Sequence, residues 1–225
     1  GTQNIQIYDS LLRYGAGVID HYLVRHEYAS TIMADGYARA TGEVGVALTV
    51  PGPGASNAST GLLEAFTDCV PVLLITGQSE SRFYHRDPSK MFHGLDQMSF
   101  FEPITKYCAI ARTVEDIPRL VTEAFRAMRS GRPGPAMLEF PQDVILGEGE
   151  ALVPPRVQRA EDGEPDAAAI AWAAQRIRED PWHPEQHLAK SPEGGWLLRV
   201  DASHPLEILP RLLALGREAR LLSPA

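Results

Sequence analysis

The chain has 225 residues, 44% of them hydrophobic, with a formal net charge of −8 and a pI near 5.4. That is enough apolar material for one sizeable α/β core and a small second unit. An acidic chain offers no broad basic footprint for a nucleic-acid backbone, so nucleic acid is not an expected partner.

Cys69 and Cys108 are the only cysteines. Two are too few for a disulfide scaffold, and neither has the close Cys or His spacing of a zinc site. Both read as small buried residues, and no metal ligand set is expected. No apolar run approaches the roughly 18 to 20 residues of a membrane span, and no signal segment opens the chain. A membrane is not expected, and a reducing cytoplasm fits best.

The opening GTQNIQIYDSLL reads as a turn followed directly by a helix, and its start at Gly1 implies a preceding segment. His21 to Arg25 alternates weakly and ends at RHE. Beyond it, small or apolar residues at Ala29, Ile32, Met33, Gly36, Tyr37 and Ala40 recur at offsets of three and four, which predicts an amphipathic helix. VGVALTV reads as a buried strand, PGPGASN as a turn, and the stretch through Leu62, Leu63 and Phe66 as a helix.

VPVLLITG repeats the strand signature, and a long polar loop follows from Gln78 to about Pro103. Loops of such length in compact domains are usually functional or disordered. KYCAIAR reads as a strand, TVEDIPRLVTEAFRAMRS as a helix with Thr113 at its N-cap and Asp116 three residues on, and PAMLEFPQDV as a closing strand. Alternating strands and helices predict an α/β fold, a mostly parallel sheet with helices on both faces.

Residues 151–166, rich in Pro, Gly and Glu, read as an exposed linker. DAAAIAWAAQRIRED reads as a short helix, and the remainder as strand, helix and strand. Residues 167–225 are therefore expected to form a separate small α+β unit.

Ligands of open α/β sheets bind beyond the carboxyl ends of the strands, so RHE, PGPGASN and TGQ are the exits to compare. Glu27 has a plain reading as a solvated carboxylate in a helix's first turn, favoured there by the helix dipole. PGPGASN could expose backbone N–H groups to a phosphate, yet it lacks the Lys-Ser/Thr pair of a P-loop and the GxGxxG spacing. A tight structural turn explains it equally well.

Taken in order, RHE, ADGYARATG, GPGASN, DCVPVLLITGQ, ITK, VEDIPRLV and SGRPGPAMLEFPQDV resemble the thiamine-diphosphate enzymes that include acetolactate synthases and related 2-oxo-acid carboligases and decarboxylases. The likeness covers residues 1 to about 145. It implies that residues 1–150 are the family's pyrimidine-binding domain, lacking the first strand that precedes this segment in the family. Glu27 matches the glutamate that hydrogen-bonds ring nitrogen N1′ and activates the cofactor at C2, a role that calls for a poorly solvated carboxyl. The carbanion chemistry is the cofactor's own.

By the same resemblance, Pro53 and Asn57 line the pyrimidine pocket, which favours ring contact over phosphate binding at that turn. Thr2 and Gln3 fall in a loop that touches cofactor or substrate in relatives, where small residues are common. Phe92 and His93 fall where acetolactate synthases have Phe-Gln, with Gln97 nearby, and these are the candidate substrate residues. His93 departs from the family; it reads as an acid or base on substrate, or equally as a plain loop histidine. His21, His26 and His85 lack ligand spacing and read as structural or solvated.

Family members hold Mg²⁺ and the diphosphate in a further domain through a GDG motif, and these 225 residues contain no GDG. The resemblance therefore implies half an active site, a diphosphate-binding domain or subunit as partner, a homo-oligomer, and no turnover by this chain alone; it leaves FAD undecided. The tail, IREDPWHPEQ followed by GGWLLRVDASHPLEILPRLLALGREARLLSPA, resembles the C-terminal extension of WYL-type transcriptional regulators, a piece associated with effector sensing and assembly. A second function class follows from it: a non-catalytic thiamine-diphosphate-binding or regulatory module.

Overall fold

A computed structural model describes residues 1–83, 86–150, 167–179, 181, 184, 186–192 and 196–200. The chain divides into two units, Gly1–Gln158 and Arg159–Ala225.

In the first unit β1 (Gly45–Thr49), β2 (Val72–Gln78), β3 (Tyr107–Ile110) and β4 (Ala136–Pro141) form one sheet in the order β1-β2-β4-β3, and every pairing is parallel. Parallel neighbours need crossovers, which α3 (Pro53–Thr67) supplies between β1 and β2 and α5 (Asp116–Arg129) between β3 and β4. Strand side chains alternate between two cores. Val72, Leu74 and Met137 pack with α3 and α2 (Glu27–Thr41) on one face, while Leu73, Ala136, Leu138 and Phe140 pack with α5 on the other.

Helix faces follow the sequence spacing. Leu120, Ala124 and Met128 of α5 are buried at intervals of four, as are Ala55, Ala58, Leu62 and Ala65 of α3 at three and four. Small residues let α2 press close to its neighbours. A Cβ on Gly45 would collide with the Ala34 carbonyl oxygen, and one on Gly61 would lie 2.5 Å from Thr31 Oγ1. The Thr31 hydroxyl donates to the Ala58 carbonyl at 2.8 Å across that close approach. Gly42, with φ +73, ends α2 in the left-handed conformation that glycine takes without steric cost.

The structure departs from the sequence reading in several places. RHE follows no strand: after α1 (Ile5–Tyr14) the chain reaches it through a turn and coil, with Val18, Ile19, Tyr22 and Leu23 all exposed. β1 is consequently an edge strand. Helix α3 begins at Pro53, so GASN forms its first turn, with proline placed where a helix start needs no N–H. The loop after β2 contains α4 (Gln97–Phe101) and short 3₁₀ turns at Ser81–Phe83, Pro88–Lys90 and Glu102–Ile104. At α5 Thr113 is not the cap; the Asp116 carboxylate instead accepts from the backbone N–H groups of Arg112 and Thr113 at 3.1 and 3.2 Å. After β4 the segment QDVI turns helical as α6 (Gln142–Ile145).

In the second unit α7 (Ala167–Glu179) is followed by an antiparallel hairpin of β5 (Gln186–Lys190) and β6 (Trp196–Val200). Gln186 Nε2 donates to the Ile177 carbonyl at 3.0 Å, and the Arg178 guanidinium lies 4.2 Å from the Trp196 ring centre. The expected linker at 151–166, His85, and the expected helix and strand beyond residue 200 lie outside the described residues. Among the described residues no helix is long and apolar enough to cross a membrane.

Candidate active site at the carboxyl end of the sheet

The head of α2, the turn after β1 and the end of β2 converge at the carboxyl end of the sheet. His26 is extended (φ −144, ψ 137) and caps α2, its Nδ1 accepting from the Tyr28 N–H at 3.3 Å. Glu27 is thereby the first residue of α2, at the positive end of the helix dipole. Its side chain is half-buried, and Asn57 Nδ2 reaches Glu27 Oε2 at 3.4 Å, a long bond that leaves most of the carboxylate's accepting capacity free.

Two glycines hold the turn against its surroundings. A Cβ on Gly54 would lie 2.5 Å from Val50 Cγ2 and 3.5 Å from Glu27 Oε1, so α3 starts flush against the glutamate. Gly52 has φ +61, and a Cβ there would collide with the His93 carbonyl oxygen. Glu27, Pro53 and Asn57 are thus brought together, with Pro53 and Asn57 exposed beside the carboxylate.

The other expected residues divide. The turn Thr2–Asn4 seats on the end of β2, where a Cβ on Gly77 would collide with Asn4 Oδ1 and lie 3.1 Å from Gln3 Cβ. Thr2 is exposed and its hydroxyl donates to Gln3 Oε1 at 3.2 Å. Gln3 and Phe92 border an open cavity of about 300 Å³, together with Ser79, Arg86, Lys90 and Gln142. Phe92 is 73% exposed and stacks on the His93 ring at 3.9 Å. His93 adopts φ +55, and its buried Nδ1 has no hydrogen-bond partner among the described residues.

Gln97 does not face that cavity. It is 1% exposed, and its amide makes four internal bonds: Oε1 accepts from Gly52 N and Thr76 Oγ1, both at 3.2 Å, while Nε2 donates to Gly77 O at 3.1 Å and Glu139 Oε2 at 2.9 Å.

Glu139 was missed by the sequence reading, although an acid inside the apolar run AMLEF was a visible signal. A strand covered on both faces desolvates whatever it carries. Burial pushes the Glu139 carboxyl up to about 7, the hydrogen bonds from Gln97 and Gln78 draw it back, and Asp96 and Arg112 add smaller opposing effects. Burial likewise pushes the neighbouring Cys108 thiol up to about 12, with the Glu139 charge adding to the rise.

A stability consequence follows for Glu139. The folded chain holds its proton more tightly than the unfolded chain, so its contribution is fully present below pH 4.5 and is lost as pH rises to about 7. Between pH 5 and 8, Glu139→Gln should lessen the fall in unfolding free energy by about 2 kcal/mol, measured by urea titration at each pH. Parallel pH profiles for the two proteins would contradict this.

Among the described residues no group of three or more His, Cys, Asp or Glu side chains is placed to hold a metal ion. What the first unit does present is a parallel α/β domain with a glutamate at the carboxyl end of its sheet. Residues 1–100 match the family model described as thiamine pyrophosphate enzyme, N-terminal TPP binding domain, and residues 156–225 match that of the WCX domain. An acetolactate synthase of Arthrospira platensis is 47% identical over 145 residues, which is 64% of this chain and 24% of the relative. The large subunit of acetolactate synthase isozyme 3 of Escherichia coli K12 is 43% identical over the same length and shares, and that of Buchnera aphidicola from Acyrthosiphon pisum is 41% identical over 152 residues, 68% of this chain and 26% of the relative. The chain spans about a quarter of the length of these relatives. The first unit is thus similar to the N-terminal thiamine pyrophosphate-binding domain found in acetolactate synthases, and the tail is similar to the WCX domain.

Proposed function

We propose that the first unit receives the aminopyrimidine ring of thiamine diphosphate and contributes Glu27 to a carboligase or decarboxylase acting on 2-oxo acids. The observation that carries this reading is the Glu27 carboxylate, seated against Gly54 with one long bond to Asn57 and room to meet a ring nitrogen. The residues present fit that ring: α3 starts flush against Glu27, whose carboxylate carries one long bond to Asn57 and keeps accepting capacity for a ring nitrogen. Thiamine diphosphate, when bound, supplies the carbanion-forming C2 centre. Glu27 would share a proton with N1′, and Pro53 and Asn57 would line the ring beside it. Thr2, Gln3, Phe92 and His93 form the outer margin, where a 2-oxo acid would approach.

Diphosphate and Mg²⁺ would be held by a diphosphate-binding domain or subunit facing this surface, in a homo-oligomer. Supporting that assembly, Tyr28, Ile32, Met33 and Tyr37 make an exposed apolar stripe along α2, and Ile5 and Leu12 of α1 are exposed as well. With pyruvate, thiamine diphosphate and Mg²⁺, the purified chain alone should give no turnover, whereas a mixture with a separately produced, GDG-bearing diphosphate-binding domain should carboligate pyruvate. Carboligation by the chain alone, lost in Glu27→Gln, would refute the half-site arrangement. No turnover in the mixture, with no binding of thiamine diphosphate, would favour the second reading, a non-catalytic binding or regulatory module, which the WCX match supports.

A further inference from the structure

Several buried polar groups under the site are joined through Gln97. Gln97, at the start of α4, reaches Gly52 in the turn after β1, Thr76 and Gly77 at the end of β2, and Glu139 in β4. Its amide has one satisfactory orientation. Turned over, it would set NH₂ against the Gly52 N–H and a carbonyl oxygen against the Gly77 carbonyl and the Glu139 carboxylate. The bond to Glu139 is the charge-assisted member of the four, and in a dry interior such a bond is the strongest.

We propose that Gln97 and Glu139 are a positioning pair: the Glu139 carboxylate holds the Gln97 amide facing Gly52, and that amide fixes the turn from which Pro53 and Asn57 meet Glu27. That Pro53, Asn57 and Glu27 form a cofactor pocket rests on the reading above; the pair's hold on the turn does not. Gly52 is the point where such a hold counts. Its φ of +61 is kept between the His93 carbonyl and the Gln97 Oε1, Pro53 after it has no N–H to anchor, and its own carbonyl accepts from Ser56 N in the first turn of α3. A shift at Gly52 therefore moves the start of α3, and Asn57 with it.

The groups that face Glu139 are Gln97 and Asp96 from the start of α4, Gln78 from the end of β2, Cys108 from β3 and Arg112 beyond it. With the carboxyl pushed up to about 7, protonation near neutral pH exchanges the charge-assisted bond for a neutral one. The turn should feel that exchange.

The test is NMR on the ¹⁵N-labelled 225-residue chain without cofactor, following the Gly52 amide and the Asn57 side-chain amide from pH 5 to 9. Both should titrate with the midpoint of the Glu139 carboxyl carbon, and the titration should vanish in Glu139→Gln. In Gln97→Met, hydrogen exchange at Gly52 should quicken about tenfold, the loss of one buried hydrogen bond. Exchange quickened in Gln97→Glu should be slowed again by adding Glu139→Gln, which trades donor for acceptor across the pair. Should Gln97→Met fail to fold, the wild-type titration and the reciprocal swap still decide. A Gly52 amide indifferent to the Glu139 titration overturns the pair. Movement at Gly52 without movement at Asn57 overturns its link to the site. Repeating the titration in Glu27→Gln removes that carboxyl as a source of the Asn57 signal. Because no cofactor is present, failure of thiamine diphosphate to bind leaves the pair standing, and loss of the pair leaves the cofactor reading intact.

Discussion

Glu27→Gln should slow hydrogen–deuterium exchange at C2 of bound thiamine diphosphate by about 10²- to 10⁴-fold, the usual contribution of a positioned acid or base. The measurement is made on the chain complemented by a diphosphate-binding domain, at saturating cofactor, with acid quench and NMR. The amide of the variant can still hydrogen-bond N1′, so cofactor affinity should change little; what it cannot do is share a proton there. The same amide would keep a partner for Asn57, whose bond to Glu27 Oε2 is long and contributes little holding force. His93→Ala supplies the contrast. Its ring stacks on Phe92 and its backbone, not its side chain, presses on Gly52, so C2 exchange should be nearly unchanged. Equal exchange rates in wild type and Glu27→Gln would remove Glu27 from its role and make the binding-module reading the better one.

Much of this arrangement could be read from the sequence because it depends on local chemistry. Glycine and proline punctuate PGPGASN, offsets of three and four mark α2 and α3, and apolar runs mark β1, β2 and, around Glu139, β4. Gly52 and Gly54 were legible as a tight turn, yet what they make room for was not: the His93 carbonyl, Val50 and the Glu27 carboxylate arrive from elsewhere in the chain. Gln97 shows the same limit. Beside Phe92 and His93 in sequence it reads as a substrate contact, whereas α4 turns its side chain inward to strands far away in the chain. The strand expected before RHE is absent: the alternation of His21 to Arg25 is weak, the segment forms no ladder on the open edge of β1, and Leu23 is left 92% exposed.

Phe101→Ala should destabilise the first unit by about 3 to 5 kcal/mol, towards the upper end of that range. Phe101 is fully buried at the end of α4, set edge-to-face against Phe100 at 5.0 Å between ring centres. Half of the buried residues in the core it enters are alanine, from Ala34, Ala38 and Ala47 to Ala55, Ala58 and Ala65, with Leu62, Leu74, Met137 and the partly buried Met98 and Ile104 as the longer side chains. Alanines have no rotamers with which to refill a cavity, so little of the lost packing can be recovered. In urea the midpoint should fall with the slope unchanged, and Tm should drop by about 6 to 20 °C. Phe100→Ala, at a residue 39% exposed, should cost less than about 1 kcal/mol. The two changes also separate packing from position, because Phe101 stands one turn beyond Gln97 on the same short helix. Loosening α4 at its buried end should release the Gln97 amide and quicken exchange at Gly52, whereas loosening its outer face should not. A loss below about 1 kcal/mol for Phe101→Ala would mean that this face of the sheet closes over the gap, and that α4 is held by the Gln97 bonds rather than by its aromatic anchor.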